Sequence, residues 1–170
     1  MNKSPREKKP LVIAGTFLGI GMGGFFDGIL LHQLLQTHNM LSARLPKTTI
    51  ANMEVNMFWD GLFHALTWTM TAIGLALFWR AARRAEVLWS GKVFVGALFL
   101  GWGLFNLVEG IIDHHILHLH HVIERLGVSI YDYAFLASGV IFIVGGLMAI
   151  RSARDDEGSR IAPAQVTNVR

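Results

Sequence analysis

Four long apolar stretches dominate the pattern of hydrophobic and polar positions along the chain. They span residues 11–35, 55–79, 93–117 and 130–150, and polar segments separate them. Each is long enough for a helix that crosses a hydrocarbon core of about 30 Å, which takes roughly 20 residues. None shows the strict alternation of apolar and polar residues that marks a barrel strand. The pattern therefore predicts an all-α membrane protein, a bundle of four transmembrane helices in a lipid bilayer.

The basic residues predict how these helices are oriented. All but three of the 15 Lys and Arg residues lie near the N-terminus, in the loop 80–92 or after residue 150. Because cytoplasmic loops carry an excess of Lys and Arg, we expect a multi-pass protein with both termini in the cytoplasm. The net charge of +3 then reflects topology, and we expect no nucleic-acid partner. The predicted parts are a cytoplasmic N-terminal segment (1–10), a transmembrane domain (11–150) and a cytoplasmic polar tail (151–170).

Composition narrows the chemistry that the chain can perform. Hydrophobic residues make up 52% of the chain and charged residues only 16%, and there is no cysteine. A soluble domain usually has about 25% charged residues. The absence of cysteine excludes disulfides and thiolate metal sites. Eight histidines are nevertheless present, and they are the feature of the composition that requires an explanation.

An internal repeat relates the first and third apolar stretches. Residues 24–38 align with residues 106–120 so that Asp27 lies opposite Glu109, and the segments share an acid-Gly-Ile-aliphatic pattern that continues into matching histidines. The second and fourth stretches match more weakly, with Asp60 opposite Asp132. We therefore predict two parallel two-helix repeats related by an axis along the membrane normal. The repeats cover residues 11–81 and 93–150, and the matching histidines are His32 with His114 and His38 with His120.

Acids and histidines inside the apolar stretches indicate a functional site. Such residues are costly in a membrane and are rarely present without a role. They all lie toward the predicted outer ends of their helices, so helices that are distant in sequence bring them to one depth. We predict a metal site near the outer face, with eight candidate ligands, and leave open whether five further residues join it. The candidates are Asp27, His32, Asp60, His64, Glu109, Asp113, His114 and His118; the five left open are His38, His115, His120, His121 and Asp132.

Helical spacing divides these side chains between two faces of each helix. Residues four apart share a face of an α-helix, so Glu109 lies above Asp113, and His114 above His118. His120 returns to the acidic face if the helix persists that far. One face can then coordinate a metal while the other orients the ligands, because metal-bound histidine usually needs an acceptor on its second nitrogen. The corresponding residues of the first repeat are Asp27, His32, Gln36 and His38.

The ligand types favour a transition metal but leave its use open. Imidazoles and carboxylates without thiolates suit copper, zinc or iron, and neither the identity nor the number of ions follows from the sequence. One hypothesis is a metal-dependent membrane enzyme of redox or hydrolytic type. Another is a protein that handles copper or zinc for a respiratory or transport complex. A third is a haem protein with histidines on facing helices. A second copy of the chain and a respiratory complex remain open as partners.

Three segments carry a resemblance to a known family. They read GFFDGILLHQ at residues 24–33, WDGLFH at 59–64 and NLVEGIIDHH at 106–115. In these motifs the chain resembles an uncharacterised bacterial family of predicted four-span inner-membrane proteins. The resemblance implies a four-span fold and a location in the bacterial inner (plasma) membrane. It implies no catalytic role.

Overall fold

Four long helices account for most of residues 7–153, the part of the chain that the computed structural model describes. They are α1 (Lys9–Phe25), α2 (Ile50–Ala82), α3 (Gly91–Glu109) and α4 (Ile130–Ser152). No strand occurs in the described part, so the prediction of an all-α fold is confirmed. Four helical stretches are long and apolar enough to cross a membrane. Most of the predicted N-terminal segment and tail lies outside the described residues.

Side-chain caps set where three of the helices begin. The hydroxyl of Thr49 accepts a hydrogen bond from Asn52 N at 3.2 Å, and that of Ser90 accepts one from Val93 N at 3.3 Å. At α4, Ser129 and Asp132 form a reciprocal capping box. Such caps satisfy backbone N–H groups that have no partner within the helix. Asp132, which the sequence left open as a ligand, therefore has a role in starting α4.

Helices α1 and α3 form the central pair of the fold. Helix α2 packs against α1, and α4 packs against α3. The most apolar windows of the first and third spans are 44% and 39% buried, whereas those of the second and fourth are only 17% and 11% buried. The outer helices therefore present broad apolar faces, as expected for surfaces in contact with lipid.

Glycines allow α1 and α3 to approach closely. A Cβ atom on Gly19 would lie 2.1 Å from the carbonyl oxygen of Leu98, and one on Gly101 would lie 2.0 Å from that of Thr16. Both distances are far below a van der Waals contact, so any side chain at either position would push the helix backbones apart. Small residues serve this purpose in membrane helix pairs, and they bring the ends of α1 and α3 close enough to share a site.

The ends of α1 and α3 depart from α-helical geometry. A first π-segment (Phe26–Leu34) follows α1, and a second π-segment (Gly110–Ile116) follows α3. Each is followed by a non-glycine residue in the left-handed region, Gln36 with φ 51° and His118 with φ 46°. The α-helical spacing assumed in the sequence analysis is therefore wrong here, because π-helices join residues i and i+5.

Matching positions of the two halves make matching contacts around these turns. Two backbone hydrogen bonds at the end of the first π-segment have counterparts at the aligned positions of the second. The two-repeat architecture stays a prediction, and these contacts support it. The matched bonds are Leu35 N to Leu30 O and Leu117 N to Ile112 O, then Thr37 N to Leu31 O and Leu119 N to Asp113 O.

The opposite end of the helices is closed by a small apolar core. Leu11, Val87, Val93 and Ala153 are all buried there. Glu7 N donates to Glu86 O at 2.8 Å, which ties the start of the described chain to the loop between α2 and α3. We call this end the basic end and the other the histidine end.

Candidate metal centre

Six titratable side chains converge at the histidine end of the central helix pair. They come from the two π-segments, from Glu109 immediately before the second one, and from the turns that follow. None of the six has more than 2% of its surface exposed. We call this group the six-residue centre. Its members are Asp27, His32, His38, Glu109, His114 and His120.

The π-segments bring an acid and a histidine of each half together. Asp27 and His32 are five residues apart, and in an α-helix they would lie about 140° apart around the axis. In the first π-segment they are neighbours instead, with Asp27 Oδ2 2.9 Å from His32 Nε2. Glu109 and His114 have the same five-residue spacing. The division into an acidic face and a histidine face is therefore wrong for these pairs.

His38 and His120 reach the centre from the turns rather than from the helices. The helical segments end at Leu34 and Ile116, so neither histidine returns to an acidic face by helical periodicity. The two imidazoles stack with centroids 4.6 Å apart and planes 3° apart. The stack lies where the two halves meet, because one ring comes from each half.

Each of these two histidines is held by the turn of the other half. His38 Nδ1 lies 3.1 Å from Val122 O, and His120 Nδ1 lies 3.1 Å from Met40 O. A carbonyl oxygen can only accept, so each Nδ1 carries the proton in these contacts. In the neutral ring Nε2 then has a free lone pair, and the Nε2 atoms lie near the carboxylates of the centre, that of His38 3.8 Å from Asp27 Oδ1 and that of His120 3.5 Å from Glu109 Oε1.

A carboxylate lies close to the Nδ1 atom of each of the two helical histidines. His32 Nδ1 lies 3.0 Å from Asp60 Oδ1, and His114 Nδ1 lies 3.1 Å from Asp132 Oδ1. Three of the four Nδ1 atoms thus have a hydrogen-bond acceptor, whereas His114 Nδ1 lies close to Asp132 without making a hydrogen bond. This is the arrangement of metal-bound histidine, whose second nitrogen nearly always meets a carboxylate or carbonyl oxygen.

An aromatic ring also supports each of the helical histidines. His32 stacks on Phe63 with centroids 5.6 Å apart, and His114 stacks on Phe135 at 5.3 Å. Phe63 lies on α2 and Phe135 on α4. The outer helices therefore help to fix the planes of both imidazoles.

The polar atoms that face the centre have no hydrogen-bond partner within the described part of the chain. These atoms are the Nε2 of all four histidines, Asp27 Oδ2 and both carboxylate oxygens of Glu109. A buried polar group without a partner costs about 1–3 kcal/mol, and a charged one costs more. Coordination to a metal would remove this cost for each of these atoms that it reaches.

An oxygen of Asp27 and a nitrogen of His32 are spaced like two ligands of one metal ion. Asp27 Oδ2 and His32 Nε2 lie 2.9 Å apart, yet neither makes a hydrogen bond of acceptable geometry. Two ligands at about 2.0–2.1 Å from one ion lie roughly 3 Å apart when they subtend a right angle. The pair therefore has the geometry of neighbouring metal ligands.

Burial keeps His120 in the form that binds a metal. This residue lies in the turn after the second π-segment, where removal from water holds the pKa of its imidazole well below the ordinary value. A neutral imidazole has a lone pair on one nitrogen. With Nδ1 directed at Met40 O, that lone pair is on Nε2.

Three sets of three residues could each hold a metal ion, because the ligand atoms within each set lie within 4.8 Å of one another. All their members are buried, and together they include the whole six-residue centre. Four of the eight residues predicted from sequence belong to it: Asp27, His32, Glu109 and His114. The sets are His32, His38 and His120; Glu109, His114 and His120; and Asp27, His32 and Glu109.

Asp60 lies beside the centre and holds one of its ligands. Its carboxylate accepts from His32 Nδ1 at 3.0 Å and from Met40 N at 2.8 Å, and Asn39 Nδ2 donates to its second oxygen. Its oxygens are thus occupied by donors rather than directed at an ion. Asp132 lies at the matching position beside His114, with Oδ1 3.1 Å from His114 Nδ1, and Val122 N donates to the same oxygen at 3.1 Å.

The other predicted candidates do not belong to any of the three sets. His64 is half-buried, and its Nδ1 meets the carbonyl of Asp60 at 2.7 Å. Asp113 is half-buried, and His118 is exposed.

Of the residues left open, His115 Nδ1 meets Gly110 O at 2.7 Å. His121 Nδ1 lies 3.5 Å from Asp132 Oδ1.

We expect Asp60→Ala to weaken metal binding about 10- to 100-fold, because the carboxylate fixes the tautomer and orientation of His32. Competition with a chromogenic chelator measures the affinity in detergent. Asp113→Ala is the matched control, since its half-buried carboxylate holds no histidine of the centre, and it should leave the affinity unchanged. An Asp60→Ala protein that binds metal as tightly as the wild type would contradict the orienting role.

The fold and the centre define a class of protein. The chain is an all-helical membrane protein with four candidate spans, and its His, Asp and Glu groups are placed so that they could bind metal. A family profile matches residues 14–153. The chain belongs to this family, which is described as "Predicted membrane protein (DUF2243)". No curated protein and no solved structure matches the chain at a significant level.

Proposed function

We propose that the protein holds a transition metal as a resident cofactor in the six-residue centre. The observation that carries the proposal is the set of buried Nε2 and carboxylate oxygen atoms that lack a partner. Imidazole and carboxylate ligands suit copper, zinc or iron. The deep burial of every ligand favours a metal that stays bound. Such a metal would serve a redox or a hydrolytic reaction.

A cavity next to His32 is the proposed path by which reactants would approach the centre. Its volume is about 240 Å³, and His32 and Asp60 form part of its wall. The cavity lies beside the first half of the chain. The loop before α2 is longer there than the loop before α4, and the first two helical turns of α2 have no counterpart in α4. The other lining residues are Gln33, Gln36, Asn39, Lys47, Met53, Asn56 and Met57.

The same cavity supports a second candidate function, the handling of copper or zinc for a respiratory or transport complex. Met53 and Met57 are four residues apart on α2 and line the cavity, and thioethers are soft ligands for copper(I). The two functions differ in exchange rate. A resident cofactor remains bound for hours in excess chelator, whereas a metal in transit is removed within minutes.

The geometry does not favour haem, the third function considered from sequence. A haem needs open space between two facing imidazoles. Here His38 and His120 stack directly on each other, and the carboxylates of Asp27 and Glu109 lie among the same rings. We therefore expect no Soret band from the purified protein.

The proposal includes an orientation in the membrane. The basic end carries Arg80, Arg83, Arg84 and Lys92, and the positive-inside rule places such an end in the cytoplasm. We propose a protein of the bacterial inner membrane with both termini inside and the centre near the outer face. Alkaline phosphatase fused after residue 170 should be inactive, and fused within the 38–49 turn it should be active. The reverse result would invert the orientation.

Elemental analysis of detergent-purified protein tests the proposed function. The protein is expressed with copper, zinc or iron in turn and is then washed with a weak chelator. We expect at least one tightly bound ion per chain for one of these metals. A folded protein that retains none of the three after metal-replete expression would overturn the proposal.

A further inference from the structure

We propose that the six-residue centre holds two metal ions, with the carboxylate of Glu109 as a bridge between them. This inference rests on the proposed function and specifies the site further. A carboxylate bridge needs both of its oxygens free and a ligand set on either side. Both oxygens of Glu109 are buried and have no hydrogen-bond partner among the described residues.

The ligand sets divide naturally around Glu109. One set joins Glu109 to Asp27 and His32, and another joins it to His114 and His120. These two sets have no other member in common. Each takes its helical histidine from a different half of the chain, so one ion would lie beside the helical histidine of each half.

His38 lies between the two sets. It belongs to a third set, with His32 from the first and His120 from the second. Its Nε2 is 3.8 Å from Asp27 Oδ1, and the Nε2 of His120 is 3.5 Å from Glu109 Oε1. Every residue of the centre is thus near at least one of the two ions.

One ion is too small to use the whole centre. Ligands at about 2.1 Å from one ion are at most roughly 4.2 Å apart. In the described part of the chain, ligand atoms come within 4.8 Å of one another only in threes. Six ligands that span more space than a single coordination sphere are better used by two ions, which typically lie about 3.5–4 Å apart.

Charge balance favours the same count. Asp27 and Glu109 lie in the centre, and Asp60 and Asp132 lie against its histidines, and all four carboxylates are almost wholly buried. Four carboxylates with neutral imidazoles match the charge of two divalent ions. With a single divalent ion, two of the carboxylates would instead have to stay protonated, because uncompensated buried charge is strongly destabilising.

Titration of the metal-free protein with Co²⁺, monitored by visible absorption and elemental analysis, tests the inference. We expect two ions per wild-type chain, and at most one in Glu109→Gln, because an amide offers a single good ligand oxygen. Glu54→Gln, which changes an exposed acid on α2, should still bind two. One ion per wild-type chain would overturn the dinuclear centre and leave the proposed function standing, whereas none would overturn both. Two tightly bound ions in Glu109→Gln would overturn the bridge.

A second measurement does not depend on the variant. Electron paramagnetic resonance of the Cu²⁺-loaded wild type should show spin coupling, either as a half-field transition or as an integrated signal well below the copper content. Two bound but uncoupled Cu²⁺ ions would overturn the carboxylate bridge.

Discussion

His38→Ala and His120→Ala should each deprive the purified protein of tightly bound metal. Each residue supplies a buried Nε2 that faces the centre and has no other partner. Removal of an orienting group already weakens metal binding about 10- to 100-fold, so loss of a ligand should weaken it by more than about 100-fold. Elemental analysis after dialysis against a weak chelator measures the metal that remains.

His118→Ala is the matched control for these two variants. It removes an imidazole from the turn that holds His120, but its side chain is exposed and belongs to no ligand set. We expect it to retain the metal content of the wild type. Loss of metal in His118→Ala together with full retention of metal in His38→Ala would contradict the assignment of His38, rather than His118, to the centre.

Gly101→Ala should strongly lower the free energy of unfolding. The added Cβ would lie 2.0 Å from Thr16 O, and a backbone carbonyl of a packed helix cannot move aside as the end of a side chain can. Overpacking usually costs about 1–3 kcal/mol, and here we expect at least the upper value because backbone is displaced. Thermal unfolding in detergent, followed by circular dichroism or by size-exclusion chromatography after heating, measures the loss.

Gly61→Ala is the control for the glycine variant. A Cβ at Gly61 would meet no heavy atom within 4 Å, and alanine favours a helix over glycine by up to about 1 kcal/mol. The variant should therefore be as stable as the wild type or slightly more stable. Equal stability of Gly101→Ala and Gly61→Ala would contradict the close packing of α1 and α3.

The architecture could be predicted from sequence because the bilayer imposes it. The spans follow from length and hydropathy, and only their ends differ. The second span, predicted at residues 55–79, is helical from Ile50 to Ala82. Thr49 explains the difference at its start, since this N-cap precedes polar residues that a hydropathy pattern excludes. The position of the polar cluster at one end of the helices was predictable for the same reason.

The composition of the centre was only partly predictable. Asp27, His32, Glu109 and His114 stand out because acids and histidines are costly inside an apolar stretch. The prediction from sequence missed their pairing because it assumed α-helical periodicity. In the π-segments, residues that are five apart lie next to each other on one face. A signal for the pairing was present, since Asp27 and His32 have the same spacing as Glu109 and His114.

His38 and His120 could not be assigned from local pattern alone. Both follow a left-handed residue after the helical segment ends, so no periodicity extends to them. Their equivalent positions in the two halves were the available signal. Conversely, Asp60 resembles a ligand in sequence, and only its contacts with His32, Asn39 and Met40 show that its oxygens are already used.

X-ray absorption at the edge of the bound metal reports the ligands themselves and is therefore the sharpest test of a histidine–carboxylate centre. We expect a shell of nitrogen and oxygen at about 2.0–2.2 Å with the outer-shell scattering of several imidazoles, and that scattering should decrease in His114→Ala. A shell dominated by sulfur at about 2.3 Å, or a shell without imidazole scattering, would contradict a histidine–carboxylate centre.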